Sequence, residues 1–310
     1  MLPKQAFVLA GVTALLVSCG NDTDGPPLAG QATASHAEGE KLYYEAKHAD
    51  DAGNASKAIK LYAKSADLSP SASTSAQARI RQAQLLEQQG DVVAAFDAYQ
   101  KFLERYQASN LYAGALKRQA EMAQSAADGE VKTSFLGLKS SLSTDKVVGM
   151  LEKVRDNAPR SATASKAQFT IGELHQSRKD DKEAIDAFRK LVRDYPDSKE
   201  APEAQFRIGK VFVAQAERGN QNLATLDLAR EALQDYLTQY PGHSKNAEAR
   251  QLLSELGGRN VQRTFDVAEF YLKTGEKESA KVYYRNVVKR TGSGELHDKA
   301  KVRLAELGER

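Results

Sequence analysis

Tryptophan is absent from the 310 residues, and aromatic side chains together make up only 7%. Ala, Leu, Gln, Glu, Lys and Arg fill most segments instead, a vocabulary of helix formers and not the β-branched and aromatic one of sheets. An all-α chain is therefore expected. Cysteine occurs once, at Cys19, so no internal disulfide can staple the fold and helix packing must supply its stability. A large charge excess is missing too. The 44 basic and 41 acidic residues leave +3, too little to argue for nucleic acid as a partner.

Constellations for chemistry are also lacking. The five histidines, His36, His48, His175, His243 and His297, are scattered, with no His-Glu-x-x-His and no cysteine companion, so no metal ligand set is read. There is no Gly-x-Ser-x-Gly elbow and no phosphate loop; Thr291-Gly292-Ser293-Gly294 reads as a loop. The paired acids Asp50-Asp51 and Asp180-Asp181 read as solvated turn residues, one of each pair suited to cap a helix. Neither a catalytic residue, a metal nor a cofactor is expected, and the chain is read as a non-enzyme.

The N-terminus stands apart. Lys4 gives a positive start, and Ala6 to Val17 is a dozen mostly apolar residues, short of the roughly 20 that span a bilayer. Ser18 offers a cleavage point. Leu16-Val17-Ser18-Cys19 resembles the lipobox of bacterial lipoproteins, which implies removal of residues 1–18, a diacylglyceryl group on the Cys19 thiol, and a fatty acyl group such as palmitate on the new amine. Two or more acyl chains hold a protein firmly at a membrane. Gly20, where inner-membrane lipoproteins often carry Asp, implies the outer membrane with the chain facing the periplasm. Residues 19–36 are expected to be the lipidated end and a flexible tether, since Asn21 to Ser35 lacks apolar periodicity.

Residues 37–310 repeat. Ala58-Ile59-Lys60-Leu61-Tyr62 recurs as Ala95-Phe96-Asp97-Ala98-Tyr99, as Ala184-Ile185-Asp186-Ala187-Phe188 and as Ala280-Lys281-Val282-Tyr283-Tyr284. Each has a small residue twelve positions earlier, at Ala46, Ala83, Gly172 and Ala268. Twenty-five positions then lead from one unit to the next, as from Ala58 to Ala83. With Pro70, Pro159, Pro196 and Pro241 after the second helices, this thirty-seven-residue period resembles the tetratricopeptide repeat. The resemblance implies a right-handed superhelical solenoid of antiparallel helix pairs, about six units with a capping helix near Glu295 to Leu307. Small residues at the crossing let two backbones approach while the aromatic fills the adjoining space.

Departures from the period locate insertions. About fifteen extra residues lie around Gly129 to Ser143 in the third unit, and about eight near Gly219 to Leu226 in the fifth; they are loops, either on a binding face or merely tolerated. Fourteen more between Ala229 and Ala268 fit four added turns of a continuous helix, unless Gly257-Gly258 breaks or kinks it. Near the end, Lys277, Lys281, Arg285 and Lys289 are spaced by four, a basic stripe that suits an acidic partner domain, anionic headgroups or plain solvation.

Three segments carry a further resemblance: Phe188-Arg189-Lys190-Leu191-Val192-Arg193-Asp194-Tyr195-Pro196-Asp197-Ser198, Ala229-Arg230-Glu231-Ala232-Leu233 leading to Tyr240-Pro241, and Val267-Ala268-Glu269-Phe270-Tyr271. They resemble the BamD family of outer-membrane lipoproteins. That family implies a scaffold binding an outer-membrane barrel assembly protein and other envelope proteins, held at the membrane by its lipid. Two other readings are a Tol-Pal-type coordinator of envelope constriction, whose coiled coil the short tether does not supply, and a peptidoglycan-remodelling enzyme, for which no nucleophile or metal set is found.

Overall fold

The computed structural model describes residues 29–68, 73–135, 138–218 and 223–309. The signal segment 1–18, Cys19 and Pro70 lie outside them. The chain forms two compact units, residues 1–82 and 83–310. Thirteen helices occur among the described residues, and none is long and apolar enough to cross a membrane.

In the first unit α1 (Ala29–Asp51) turns through Gly53 into α2 (Ala55–Leu68). Gly53 has φ +73, a left-handed backbone that favours glycine. Ala46 and Ala58 are both fully buried where the helices cross. The helices are antiparallel: the Ser65 hydroxyl donates to the Gly39 carbonyl at 2.7 Å, while near the other end the Tyr62 hydroxyl donates to Asp50 at 3.3 Å. Asn54 caps α2, its side-chain oxygen accepting from the Lys57 amide. α1 starts eight residues before the expected boundary at 37. The stretch Ala29-Gly30-Gln31-Ala32-Thr33-Ala34 is rich in alanine, and a helix needs no apolar stripe to be extended by good helix formers from a packed turn.

A third helix, α3 (Ser73–Gln88), begins in the first unit, and its last six residues belong to the second. The pairs that follow are α4 (Val92–Arg105), then α5 (Tyr112–Ala127) with α6 (Thr144–Asn157), α7 (Ala162–Arg178) with α8 (Asp181–Asp194), α9 (Ala201–Arg218) with α10 (Leu223–Gln239), and α11 (Asn246–Lys273) with α12 (Lys277–Arg290). α13 (Glu295–Glu306) closes the stack as the expected capping helix. This is a tetratricopeptide-type solenoid.

The crossings are built as the spacing requires. Ala83, Ala95, Ala184, Ala229, Ala268 and Ala280 are fully buried, and Phe188 and Tyr284 fill the space beside them. At Gly172 an added Cβ would collide with the Phe188 ring, and at Gly209 it would lie 2.7 Å from Leu233. Glycine is thus a steric requirement at those two crossings.

The insertion in the third unit, expected as a loop, contains a two-stranded antiparallel hairpin. β1 (Lys132–Phe135) pairs with β2 (Leu138–Ser141) in the register Lys132 to Ser141 and Phe135 to Leu138. In the fifth unit residues 219–222 lie outside the described residues, and Leu223 to Leu226 form the first turn of α10. Gly257-Gly258 does not break α11, which runs unbroken for 28 residues. It packs through Ala249, Leu252, Leu253 and Leu256 on one cluster and through Val261, Phe265 and Ala268 on another, and burial at both ends outweighs the two glycines between.

Candidate protein-binding site

In the second unit a groove of about 700 Å³ lies between α5 and α7, floored by α6. Leu151 and Val154 of α6 form its base, and Ala113, Leu116 and Ala120 of α5 with Ala162 and Ala167 of α7 form apolar walls. Small side chains are what keep it open. Its rim is polar: Lys117, Glu121 and Gln124 on one side, Lys166 and Lys199 on the other. Glu121 is engaged by Arg118 at 2.7 Å and by Lys117 at 4.0 Å, and Lys199 stands 3.7 Å from Glu200. Lys166 has no acidic partner within 4 Å among the described residues. An apolar trough with a mainly cationic rim fits an extended polypeptide that carries apolar side chains and a carboxylate.

Local sequence fixes the walls. Ser161 caps α7, accepting from the Ala164 amide at 3.2 Å, while its hydroxyl donates to the Ala158 carbonyl at 2.7 Å. Ser143 caps α6 through the Lys146 amide. Beneath the groove, Gln119 is fully buried in an amide cluster. Its side-chain nitrogen donates to Gln100 of α4 at 2.6 Å, and Asn157 of α6 donates to Gln119 at 2.8 Å and to Gln100 at 2.7 Å. Three consecutive helices are thus joined by satisfied polar groups where other crossings use alanine.

The basic stripe of α12 is not uniformly free. Lys281 is bonded to Glu278 at 2.8 Å, and Arg285 is gripped by Glu309, its Nε at 2.8 Å. Lys277 and Lys289 are exposed, and among the described residues neither has an acidic partner. The paired acids differ from the solvated capping residues expected. Asp50 accepts from Arg81 Nε at 2.6 Å and from Tyr62, and the Arg81 hydrogen bond holds its carboxyl below the usual range. Asp180 occupies the cap position of α8 without capping it; its carboxylate faces Arg178 at 3.2 Å. Asp181 is paired with Arg218.

Asp50 belongs to a recurring clamp that sequence reasoning missed. An acid near the end of one unit's first helix takes a tyrosine from its second helix and an arginine from the next unit's first helix. Glu87 accepts from Tyr99 at 3.4 Å and from Arg118; Glu269 accepts from Tyr284 at 2.5 Å and from Arg303 at 2.9 Å. Burial, with the Glu87 charge, pushes Tyr99 up to about 12. Burial would raise Glu269, but the hydrogen bonds from Tyr284 and Arg303 outweigh it and hold the carboxyl low. The readable signal was spacing: Asp50 to Arg81 and Glu87 to Arg118 are both thirty-one apart, with Tyr62 and Tyr99 twelve after each acid.

The histidines stay apart. His243 Nδ1 lies 2.7 Å from the Tyr236 hydroxyl, and His297 Nδ1 lies 3.1 Å from the Thr291 hydroxyl. Among the described residues no group of three or more His, Cys, Asp or Glu is placed to hold a metal ion.

Residues 77–109 match a tetratricopeptide repeat model, and residues 138–300 match the model described as YfiO, outer membrane lipoprotein. No curated protein matches the chain. Among solved structures, a tetratricopeptide repeat protein from Parabacteroides merdae is 15% identical, covering 89% of this chain and 100% of its own, with a TM-score of 0.31. Pseudomonas aeruginosa pilF is 12% identical over 87% and 98%, with a TM-score of 0.29. The C-terminal part of a repeat-containing protein from Cytophaga hutchinsonii is 14% identical over 88% and 92%, with a TM-score of 0.35. Superpositions at that level say nothing about function. The lipoprotein model covers more than half of the sequence, from the hairpin to the capping helix, and the chain belongs to the YfiO family, BamD-like outer membrane lipoproteins built on tetratricopeptide repeats.

Proposed function

We propose that this protein is a lipid-anchored scaffold of the outer membrane that binds other proteins during the assembly and insertion of β-barrel proteins. Residues 1–18 are removed, Cys19 carries the lipid, and residues 37–310 hang in the periplasm as a surface for partners and not as an enzyme. The observation that carries the reading is the match of residues 138–300 to an outer membrane lipoprotein family, in a chain with a groove that is apolar at its base and mainly cationic at its rim.

In this reading an extended segment of a barrel-assembly protein, or of another envelope protein, lies between α5 and α7. Its apolar side chains rest on Leu116, Leu151 and Val154, and its acidic groups face Lys166 and Lys199. Lys277 and Lys289 of α12, with Lys281 and Arg285 turned to their own acids, supply a smaller contact. A photo-crosslinking residue placed at Lys166 in living cells tests the assignment. The expected result is a covalent adduct to an outer-membrane barrel protein, identified by mass, with no such adduct from a crosslinker at Lys101 on α4. Equal adducts from both positions, or none from Lys166, would remove the groove from the account.

A further inference from the structure

The described lysines of the first unit share one property. Lys41, Lys47, Lys57, Lys60 and Lys64 are all exposed, and among the described residues none forms an ion pair. The arginines of the same unit are both paired, Arg79 with Asp67 and Arg81 with Asp50. The second unit holds lysines of both kinds: Lys117, Lys153, Lys190, Lys210, Lys245 and Lys299 each have an acid within 4.0 Å, while Lys166, Lys277 and Lys289 have none among the described residues.

Three of the unpaired lysines are organised. Lys57, Lys60 and Lys64 follow at spacings of three and four along α2, which places them on one side of the helix. The one acid of α2, Asp67, is taken by Arg79. Leu68 continues the same side at the helix end and is 43% exposed. Like charges at those spacings oppose helix formation, so α2 keeps this face against its own preference. A row of ammonium groups ending in an exposed leucine matches an anionic interface with an apolar layer beneath it.

Chain length lets that face reach such an interface. α1 opens at Ala29, ten residues beyond Cys19, and ten fully extended residues reach at most about 35 Å. Under the lipid anchor proposed above, on which this inference rests, the first unit stays within reach of the headgroups.

We propose that the Lys57, Lys60 and Lys64 face of α2 docks on the anionic phospholipid headgroups of the membrane that holds the anchor, laying the first unit against the bilayer. Such lysines act within a Debye length of about 8 Å at physiological salt, so the contact is short-ranged and salt-sensitive.

Co-sedimentation with vesicles tests it, using the chain from residue 20 onward, which keeps every described element and carries neither signal nor lipid. Binding is expected to vesicles of phosphatidylethanolamine with phosphatidylglycerol, to weaken as salt rises, and to be absent with phosphatidylcholine alone. Lys57→Glu, Lys60→Glu and Lys64→Glu together should lower binding by about tenfold or more, while Lys101→Glu with Lys182→Glu, at two exposed positions of the second unit, should leave it unchanged. If the triple Glu variant does not fold by circular dichroism, the triple Gln variant takes its place and should show the same direction. No binding to anionic vesicles, equal binding to neutral ones, or a charge-removed variant that binds like the parent would overturn the proposal. Labelled fatty acid on the full chain reports the Cys19 anchor separately, so failure of the anchor and failure of the lysine face are distinguishable.

Discussion

The crossing of α7 with α8 and the junction of α4, α5 and α6 do the same work with opposite chemistry. At the first, Gly172 meets the Phe188 ring and Ala184 is fully buried, so the helices are held by close apolar contact. At the second, the buried Gln119 joins Gln100 and Asn157 in a closed set of amide hydrogen bonds. The repeat therefore fixes a geometry of helix pairs and leaves the means of joining them open. An apolar crossing tolerates no added volume, whereas an amide junction tolerates no missing partner.

Gly172→Leu should be the most damaging change on the apolar side, because four added carbons meet a buried ring; a loss of about 3 kcal/mol should be seen in a thermal melt, with Ala184→Leu somewhat milder. On the polar side Gln119→Leu keeps the volume and strands the amides of Gln100 and Asn157, for about 2 kcal/mol. Equal tolerance of Gln119→Leu and of a surface substitution such as Lys101→Leu would show that the amides are only filling. Gly257→Ala and Gly258→Ala make the contrasting glycine test. An added Cβ meets nothing within 4 Å at either position, so each should raise stability by about 1 kcal/mol, opposite in sign to Gly172→Ala. A fall in melting temperature for these two would contradict the continuous packing of α11.

The smallest effect concerns pH. Asp50 is held below its ordinary value of 3.8 by Arg81, so its contribution to stability is fully present above that value and is lost as pH falls through the lower folded-state value. The melting-temperature gap between the parent and Asp50→Asn should be open at pH 7 and shrink below about pH 4. A gap that does not change with pH would mean that the Asp50 charge contributes nothing.

Much of the apolar architecture was readable because small residues twelve apart and an aromatic four further on are a one-dimensional trace of a crossing. The groove left a fainter trace. Besides the buried face of α5 at Ala115, Met122, Ala123 and Ala126, a second row at Ala113, Leu116 and Ala120 exceeds what packing within the unit needs. The hairpin was not readable, since Lys132-Thr133-Ser134-Phe135 and Leu138-Lys139-Ser140-Ser141 show no strict apolar alternation. Nor was the amide cluster, because a glutamine's choice of partner depends on what other helices bring to it. The stripe at Lys277, Lys281, Arg285 and Lys289 was visible as spacing, but the acids that occupy Lys281 and Arg285 could be assigned only in three dimensions.

Capture through a C-terminal tag from gently solubilised outer membranes bears most directly on the role as a scaffold. An outer-membrane barrel protein should co-purify in near-equal amount, and Leu116→Glu with Lys166→Glu should reduce that yield while leaving the melting temperature unchanged. Recovery of the tagged chain with no barrel protein attached, under conditions in which its own lipid anchor is retained, would contradict that role.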